Sequence, residues 1–139
     1  MAIFLNNNVG FKLNSVDLSD HVTSVTINRQ ADQIEVTAMG DTAHKFVTGL
    51  EASTITVSFL NDTATASVLQ TIQDNWATTV PVSMIQQKGT AVSATNKSYA
   101  TTVLIDNVTD INGAVGDEST IDITFTCNSK IVPSSSTAF

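Results

Sequence analysis

Ser53-Thr54-Ile55-Thr56-Val57-Ser58-Phe59-Leu60 decides the fold, because Ile55, Val57 and Phe59 alternate with Thr54, Thr56 and Ser58. Successive side chains of an extended chain point to opposite faces, so a strict period of two predicts a strand with one apolar and one hydroxyl-rich face. Residues 119–127 repeat the scheme, with Ile121, Ile123, Phe125 and Cys127 opposite Thr120, Asp122, Thr124 and Thr126. Over residues 22–29, Val25 and Ile27 alternate with Ser24, Thr26 and Asn28; Ile34 and Val36 alternate with Gln33, Glu35 and Thr37; residues 99–106 carry the same pattern. Threonine makes up roughly 15% of the chain, and this β-branched excess favours strands because χ1 is stiff. Strands wet on one face belong to antiparallel sheets. The short link at residues 30–32 predicts a hairpin between 22–29 and the strand holding Ile34 and Val36.

One helix is predicted between about Thr65 and Trp76, where Val68, Leu69, Ile72 and Trp76 fall at helical spacing, with Asp62 or Thr63 as its cap. It would lay one apolar stripe, Trp76 included, on the sheet. Residues 80–87 resume extended structure, with Pro81 near the start, where a missing amide costs least. Two connections, residues 39–52 and 107–118, are longer than a compact domain needs, and loops of about 12 or more residues are usually functional or disordered. Gly40 and Gly49 are expected to permit turns in the first. The polar tail after Asn128 is expected to be mobile unless a partner orders it. The fold class expected is therefore mostly β: an antiparallel β-sandwich or partial barrel with one flanking α-helix, in a single domain over residues 1–139.

With 42% hydrophobic residues, 139 residues can bury a sizeable core without staples. The single cysteine, Cys127, lies in an apolar alternation and reads as a small hydrophobe, which favours a reducing compartment. Residues 1–8 have neither the basic start nor the apolar run of a secretory signal, and no stretch approaches the ~20 apolar residues that span a bilayer, so a cytoplasmic protein with no membrane partner is expected. The net charge is −7, and Lys12, Arg29, Lys45, Lys88, Lys97 and Lys130 are scattered. Tight binding to nucleic acid needs clustered cations, so that class is disfavoured.

Asp17, Asp20 and His21 could offer oxygen and nitrogen to a metal, yet Ser and Asp in such turns more often bond the backbone. Asp106, Asp110, Asn112, Asp117 and Glu118 form an acidic loop whose spacing does not follow the calcium-loop pattern. His44 has no second histidine nearby and reads as an exposed or interface residue. No nucleophile, base and orienting group assemble, so no enzyme, cofactor or metal site is expected.

The run Val16-Asp17-Leu18-Ser19-Asp20-His21-Val22, then Ser24-Val25-Thr26-Ile27, then Ala31-Asp32 on to Val36-Thr37-Ala38-Met39-Gly40-Asp41-Thr42, resembles the major tail tube proteins of long-tailed, siphovirus-like bacteriophages. The likeness continues through Gly49-Leu50 into the Ser53 strand, and again at Ala91-Val92-Ser93-Ala94-Thr95-Asn96, Ser98-Tyr99 and Gly113-Ala114-Val115-Gly116-Asp117. It covers most of residues 9–127. Each motif alone is degenerate; their order and spacing carry the resemblance.

That resemblance implies a phage tail tube fold, in which hexameric rings of β-sandwich subunits stack into a hollow tube and inner strands close one continuous barrel. It implies that the loop at residues 39–52 reaches the adjacent ring, with Met39, Phe46, Val47 and Leu50 as apolar anchors and Asp41 and Lys45 as polar contacts. Glu35, Thr54, Thr56, Asp122 and Thr124 become candidates for the lumen. The implied partners are further copies of the chain, the tape measure, tail terminator and tail tip proteins, and DNA that passes through the lumen without specific binding. The implied location is the virion tail, after synthesis in the host bacterial cytoplasm. Residues 1–8 and 128–139 would be flexible or subunit-bridging arms. Open sheet edges must be covered or paired, and ring closure does this. Six copies at −7 each carry roughly −42, which would repel DNA from the wall rather than trap it. Alternative readings are a head decoration or tail-completion protein, a tail-like bacteriocin tube subunit, and a carbohydrate-binding β-sandwich, the last needing exposed aromatics where Trp76 and Tyr99 read as buried.

Overall fold

The apolar rows of residues 53–60 and 119–127 meet in one ladder, from Thr54↔Thr126 through Ile55↔Phe125, Val57↔Ile123 and Phe59↔Ile121 to Leu60↔Thr120. The structure is a computed structural model that describes residues 8–65 and 67–139. Residues 1–7 of the expected amino-terminal arm, and Ala66 of the expected helix, lie outside the described residues. In chain order the elements are β1 (Gly10–Leu13), β2 (Val16–Asp17), a 3-10 turn (Ser19–His21), β3 (Val22–Asn28), β4 (Ala31–Glu35), β5 (Phe46–Glu51), β6 (Thr54–Leu60), α1 (Val68–Asp74), β7 (Thr79–Ile85), β8 (Ser98–Leu104), β9 (Thr120–Cys127) and β10 (Val132–Ser134).

The main sheet runs β2-β1-β7-β8-β9-β6-β3, with β10 added to β8, and every pairing is antiparallel. Its corner lies between β8 and β9, which share only Val103↔Cys127 and Leu104↔Thr126. Turning there brings β1 and β7 over β6 and β9. Phe11 of β1 meets Phe59 edge to face at 5.6 Å and stacks with Phe125 at 6.5 Å between centroids. Leu13, Val82, Ile55, Val57, Ile121 and Ile123 complete this buried core, and α1 closes it with Val68 and Ile72. Each such side chain contributes about 1.5–3 kcal/mol over leaving it in water, so the two apolar rows drive the stacking. The fold is a mostly β, antiparallel sandwich with one helix, as its periodicity predicts. Pro81 sits one residue outside the β1–β7 ladder, which stops at Leu13↔Val82, so its missing amide costs that ladder nothing.

Several expectations are corrected. Residues 22–29 do not form a hairpin with the strand of Ile34 and Val36: β3 pairs with β6, and β4 pairs with β5 as a separate ribbon. The 30–32 link lacks the glycine that two-residue hairpin turns favour, and apolar register decides instead, setting Val25 opposite Val57 and Ile27 opposite Ile55. Residues 39–52 are not all loop, because Phe46–Glu51 is β5, with Ile34↔Val47 and Glu35↔Phe46 in register. Gly40 does serve a turn at φ 89°, but Gly49 lies inside β5, where an added Cβ would stand 3.0 Å from Ile34 Cδ1.

Trp76 is not core; it is 50% exposed. The helix stops at Asp74, the Asn75 side chain donates to Thr71 O at 2.7 Å, and Ala77 turns into the left-handed region at φ 59°. Trp76 therefore leaves the helical phase one step before it would reach the core. The helix cap is Ser67 rather than Asp62 or Thr63; Asp62 shapes the entry instead, accepting the Ala64 amide at 2.9 Å and the Ser67 hydroxyl at 2.8 Å.

The tail after Asn128 is laid on its own subunit rather than loose. Ile131 is buried, β10 pairs with β8, and the Ser98 hydroxyl donates to Thr137 O at 2.6 Å. Lys12 Nζ donates to Phe139 O at 3.0 Å and sits 4.6 Å from the centre of its ring. Gly10 makes room: a Cβ there would come within 2.7 Å of Phe139.

Candidate assembly surfaces

The β4–β5 ribbon projects its own apolar side chains into solvent. Its register places Ile34 and Val47 on one face and Phe46 on the other, beside Glu35, and shifts opposite Gly49 and Leu50; alternation adds Val36 to the first face. Leu50 is 83% exposed and Met39, near the tip, is fully exposed. Two strands alone cannot bury either face. Apolar side chains therefore stand exposed on both faces of the ribbon.

Polar contacts give the ribbon tip a fixed shape. Asp41 accepts the Ala38 amide at 2.8 Å and pairs with Lys45 Nζ at 2.8 Å. The Lys45 ammonium, then the Ala38 amide, hold the Asp41 carboxyl below the usual carboxylate range. Lys45 also donates its amide to Thr37 Oγ1, and His44 Nδ1 lies 2.9 Å from Glu35 Oε1. At the base, Glu51 accepts the Ser53 hydroxyl at 2.8 Å and the Ile131 amide at 3.1 Å, which lowers its carboxyl pKa, Ser53 contributing most. Six residues named from the sequence, Met39, Asp41, Lys45, Phe46, Val47 and Leu50, therefore gather on one ribbon. Ile34 and Val36 belong with them. The adjacent apolar pair Phe46-Val47 was the signal for a strand exposed on both faces, which a search for strict alternation passes over.

The outer face of β3, β6 and β9 is the second surface. Registers align Ser24, Ser58 and Asp122 in one row, Thr26, Thr56 and Thr124 in the next, and Asn28, Thr54 and Thr126 in the third. The Thr56 and Thr124 hydroxyls meet at 3.4 Å. Its side chains are short and, except for Asp122, uncharged, and Thr54, Thr56, Asp122 and Thr124 stand on it together. Glu35 is not brought to it; it stands on the ribbon against His44. β3 ends the strand order, so among the described residues one of its backbone edges has no partner, and such an edge is a template for another chain.

The other chemical candidates are spent locally. Asp17 accepts the Ser19 amide and hydroxyl and pairs with Lys88 Nζ at 2.8 Å, while His21 Nε2 reaches Asp62 Oδ2 at 2.8 Å. Gln73 and Asn112 tie the acidic loop to α1 and β9 through Asp110 and Thr120 O, leaving Ile111 and Val115 exposed. Among the described residues no three His, Cys, Asp or Glu side chains converge to hold a metal ion, and no helix is long and apolar enough to cross a membrane.

The chain is similar in fold to a chain in the virion of a native gene transfer agent particle, with a TM-score of 0.75 and 9% sequence identity over 95% of this chain and 99% of that one. It is also similar to a chain in the tail of an empty gene transfer agent particle, a structure with C6 symmetry computed with helical refinement, at a TM-score of 0.66 and 11% identity over 96% of this chain and 99% of that one. At these identities the likeness establishes a shared fold along nearly the whole chain. No protein-family model and no curated protein sequence matches the chain.

Proposed function

We propose that this chain is a structural subunit of a phage-like tail, which polymerises as stacked hexameric rings into the tail tube that conducts DNA. The observation that carries this reading is the ribbon, whose apolar side chains, Leu50 and Met39 above all, the described residues leave half or fully exposed. The free β3 edge supplies a lateral joint, and the β3-β6-β9 hydroxyl face supplies a wall on which DNA finds few cations. The shared fold with a chain from a tail of C6 symmetry supports six copies per ring. In this reading β3 pairs with a strand of the neighbouring copy in the ring. The ribbon, through Met39, Phe46, Val47 and Leu50, enters the next ring, with the Asp41–Lys45 pair at the rim. Thr54, Thr56, Asp122 and Thr124 line the lumen, while Glu35 stays with the inter-ring contact. Tape measure, tail terminator and tail tip proteins meet the tube inside and at its ends. The chain works by assembly, without covalent chemistry.

The test is the double variant Phe46→Ser with Leu50→Ser. Both side chains are exposed in the subunit, so its circular dichroism melt stays unchanged while sedimentation loses the polymer. Polymer of wild-type length from this variant would remove the ribbon from the inter-ring contact.

A further inference from the structure

Asn112-Gly113 is the single Asn-Gly step in the chain, and it stands exposed in the connection between β8 and β9. The side-chain amide carbon of an asparagine lies within reach of the next residue's backbone nitrogen, and a following glycine, with no Cβ, leaves that approach least hindered. The space around this glycine is open as well: a Cβ built on Gly113 would meet nothing within 4 Å.

Two hydrogen bonds bear on the chemistry. The Ser119 hydroxyl donates to Asn112 O, the carbonyl of the same peptide group whose nitrogen belongs to Gly113. A donor there stabilises the negative charge that gathers on this oxygen when the Gly113 nitrogen gives up its proton. Asn112 Nδ2 in turn donates to Thr120 O at 2.8 Å, and Thr120, opposite Leu60, is the end rung of the β6–β9 ladder. One carboxamide thus ties the loop to the strand.

We propose that Asn112 is a self-modification site, at which loss of the side-chain amide frees this part of the loop from β9. The Gly113 nitrogen attacks Asn112 Cγ, the new N–C bond closes a cyclic imide, and the amide nitrogen leaves as ammonia, gaining by way of solvent the proton that Gly113 gave up. Water then opens the imide at either carbonyl and leaves an ordinary aspartate or an isoaspartate, with no change in oxidation state. Both products put an acceptor where a donor stood. A carboxylate facing Thr120 O cannot keep that hydrogen bond, and it adds to the negative charge of Asp110, Asp117 and Glu118 in the same loop. The segment that bears the exposed Ile111 and Val115 then loses its tie to Thr120, whether or not the chain builds tubes.

The test is incubation of the full chain in mildly alkaline buffer, read by peptide fragmentation in the mass spectrometer and by enzymatic methylation of isoaspartate. Asn112 is expected to convert several-fold faster than Asn14 or Asn128, each of which is followed by serine. Gly113→Ala, which the open space accommodates, is expected to slow the conversion several-fold. Conversion at the pace of Asn128, or a rate unchanged in Gly113→Ala, would overturn the proposal. The release is read by hydrogen exchange: amides of residues 107–118 exchange several-fold faster in Asn112→Asp than in wild type, while those of β6 stay protected. Exchange equal to wild type across the loop would count against it equally.

Discussion

Asp17 shows how a residue that reads as a metal ligand becomes a structural clamp. Burial pushes its carboxyl pKa up, but the Lys88 ammonium and the Ser19 hydroxyl and amide outweigh burial and bring it down to about 2. A depressed folded pKa contributes stability above the unfolded value of 3.8, and that contribution is lost as pH falls from there through about 2. Because the side chain is 38% exposed, solvent screening reduces the contribution to on the order of 1 kcal/mol. Asp17→Asn is therefore expected to unfold more easily in urea at pH 7, with the gap to wild type closing by pH 2; a gap that persists at pH 2 would assign the effect elsewhere. Asn96 is the opposite case, a buried polar residue whose role the sequence does not reveal. Its amide group donates to Gln87 O and Thr90 O at 3.0 and 3.1 Å and accepts the Gln87 amide at 3.2 Å, closing the β7–β8 connection. Asn96→Ala leaves those buried groups unpaired and is expected to cost about 1–3 kcal/mol in denaturant titration. In the run Ala94-Thr95-Asn96-Lys97 nothing in spacing or composition says which polar side chain turns inward.

Elements differ in legibility according to how many of their faces the subunit buries. β6 and β9 bury one face each, so period-two alternation announced them, together with their hydroxyl side, to within a residue. β5 buries neither face, its apolar residues do not alternate, and it read as loop; the same property makes it a candidate contact. The Thr-rich row was legible as a face, but its pairing was not, since β3 meets β6 across the whole ribbon rather than its sequence neighbour β4. β10 and the residues around it escaped notice because single anchors, Ile131 and Phe139, hold an otherwise polar stretch. This division makes a paired prediction. Phe59→Ala, in the layer that Phe11 covers, is expected to destabilise the subunit by about 3–5 kcal/mol, while Leu50→Ala should change subunit stability by no more than about 0.5 kcal/mol and shorten or abolish polymer. Calorimetry and sedimentation on the two proteins separate the roles; a large stability loss from Leu50→Ala would show that the ribbon belongs to the subunit core.

At the scale of the whole molecule, one copy leaves several surfaces exposed among the described residues: a ribbon with apolar side chains on both faces, the outer edge of β3, and a hydroxyl face carrying a lone Asp122. In the proposed ring the net charge of −7 per subunit would act collectively, because acidic subunits repel phosphate where a cationic wall would trap it by counterion release. Asp122→Lys tubes are expected to retain added DNA at low salt, measured by co-sedimentation, whereas wild-type tubes do not. Equal retention would place Asp122 away from the lumen. The most direct measurement is the end-on view of purified, concentrated protein by electron microscopy, with two-dimensional class averages. The account predicts rings of six copies around one open channel, stacked in side view into filaments of uniform width; a protein that stays monomeric at every concentration, or closes into rings that never stack, would contradict it.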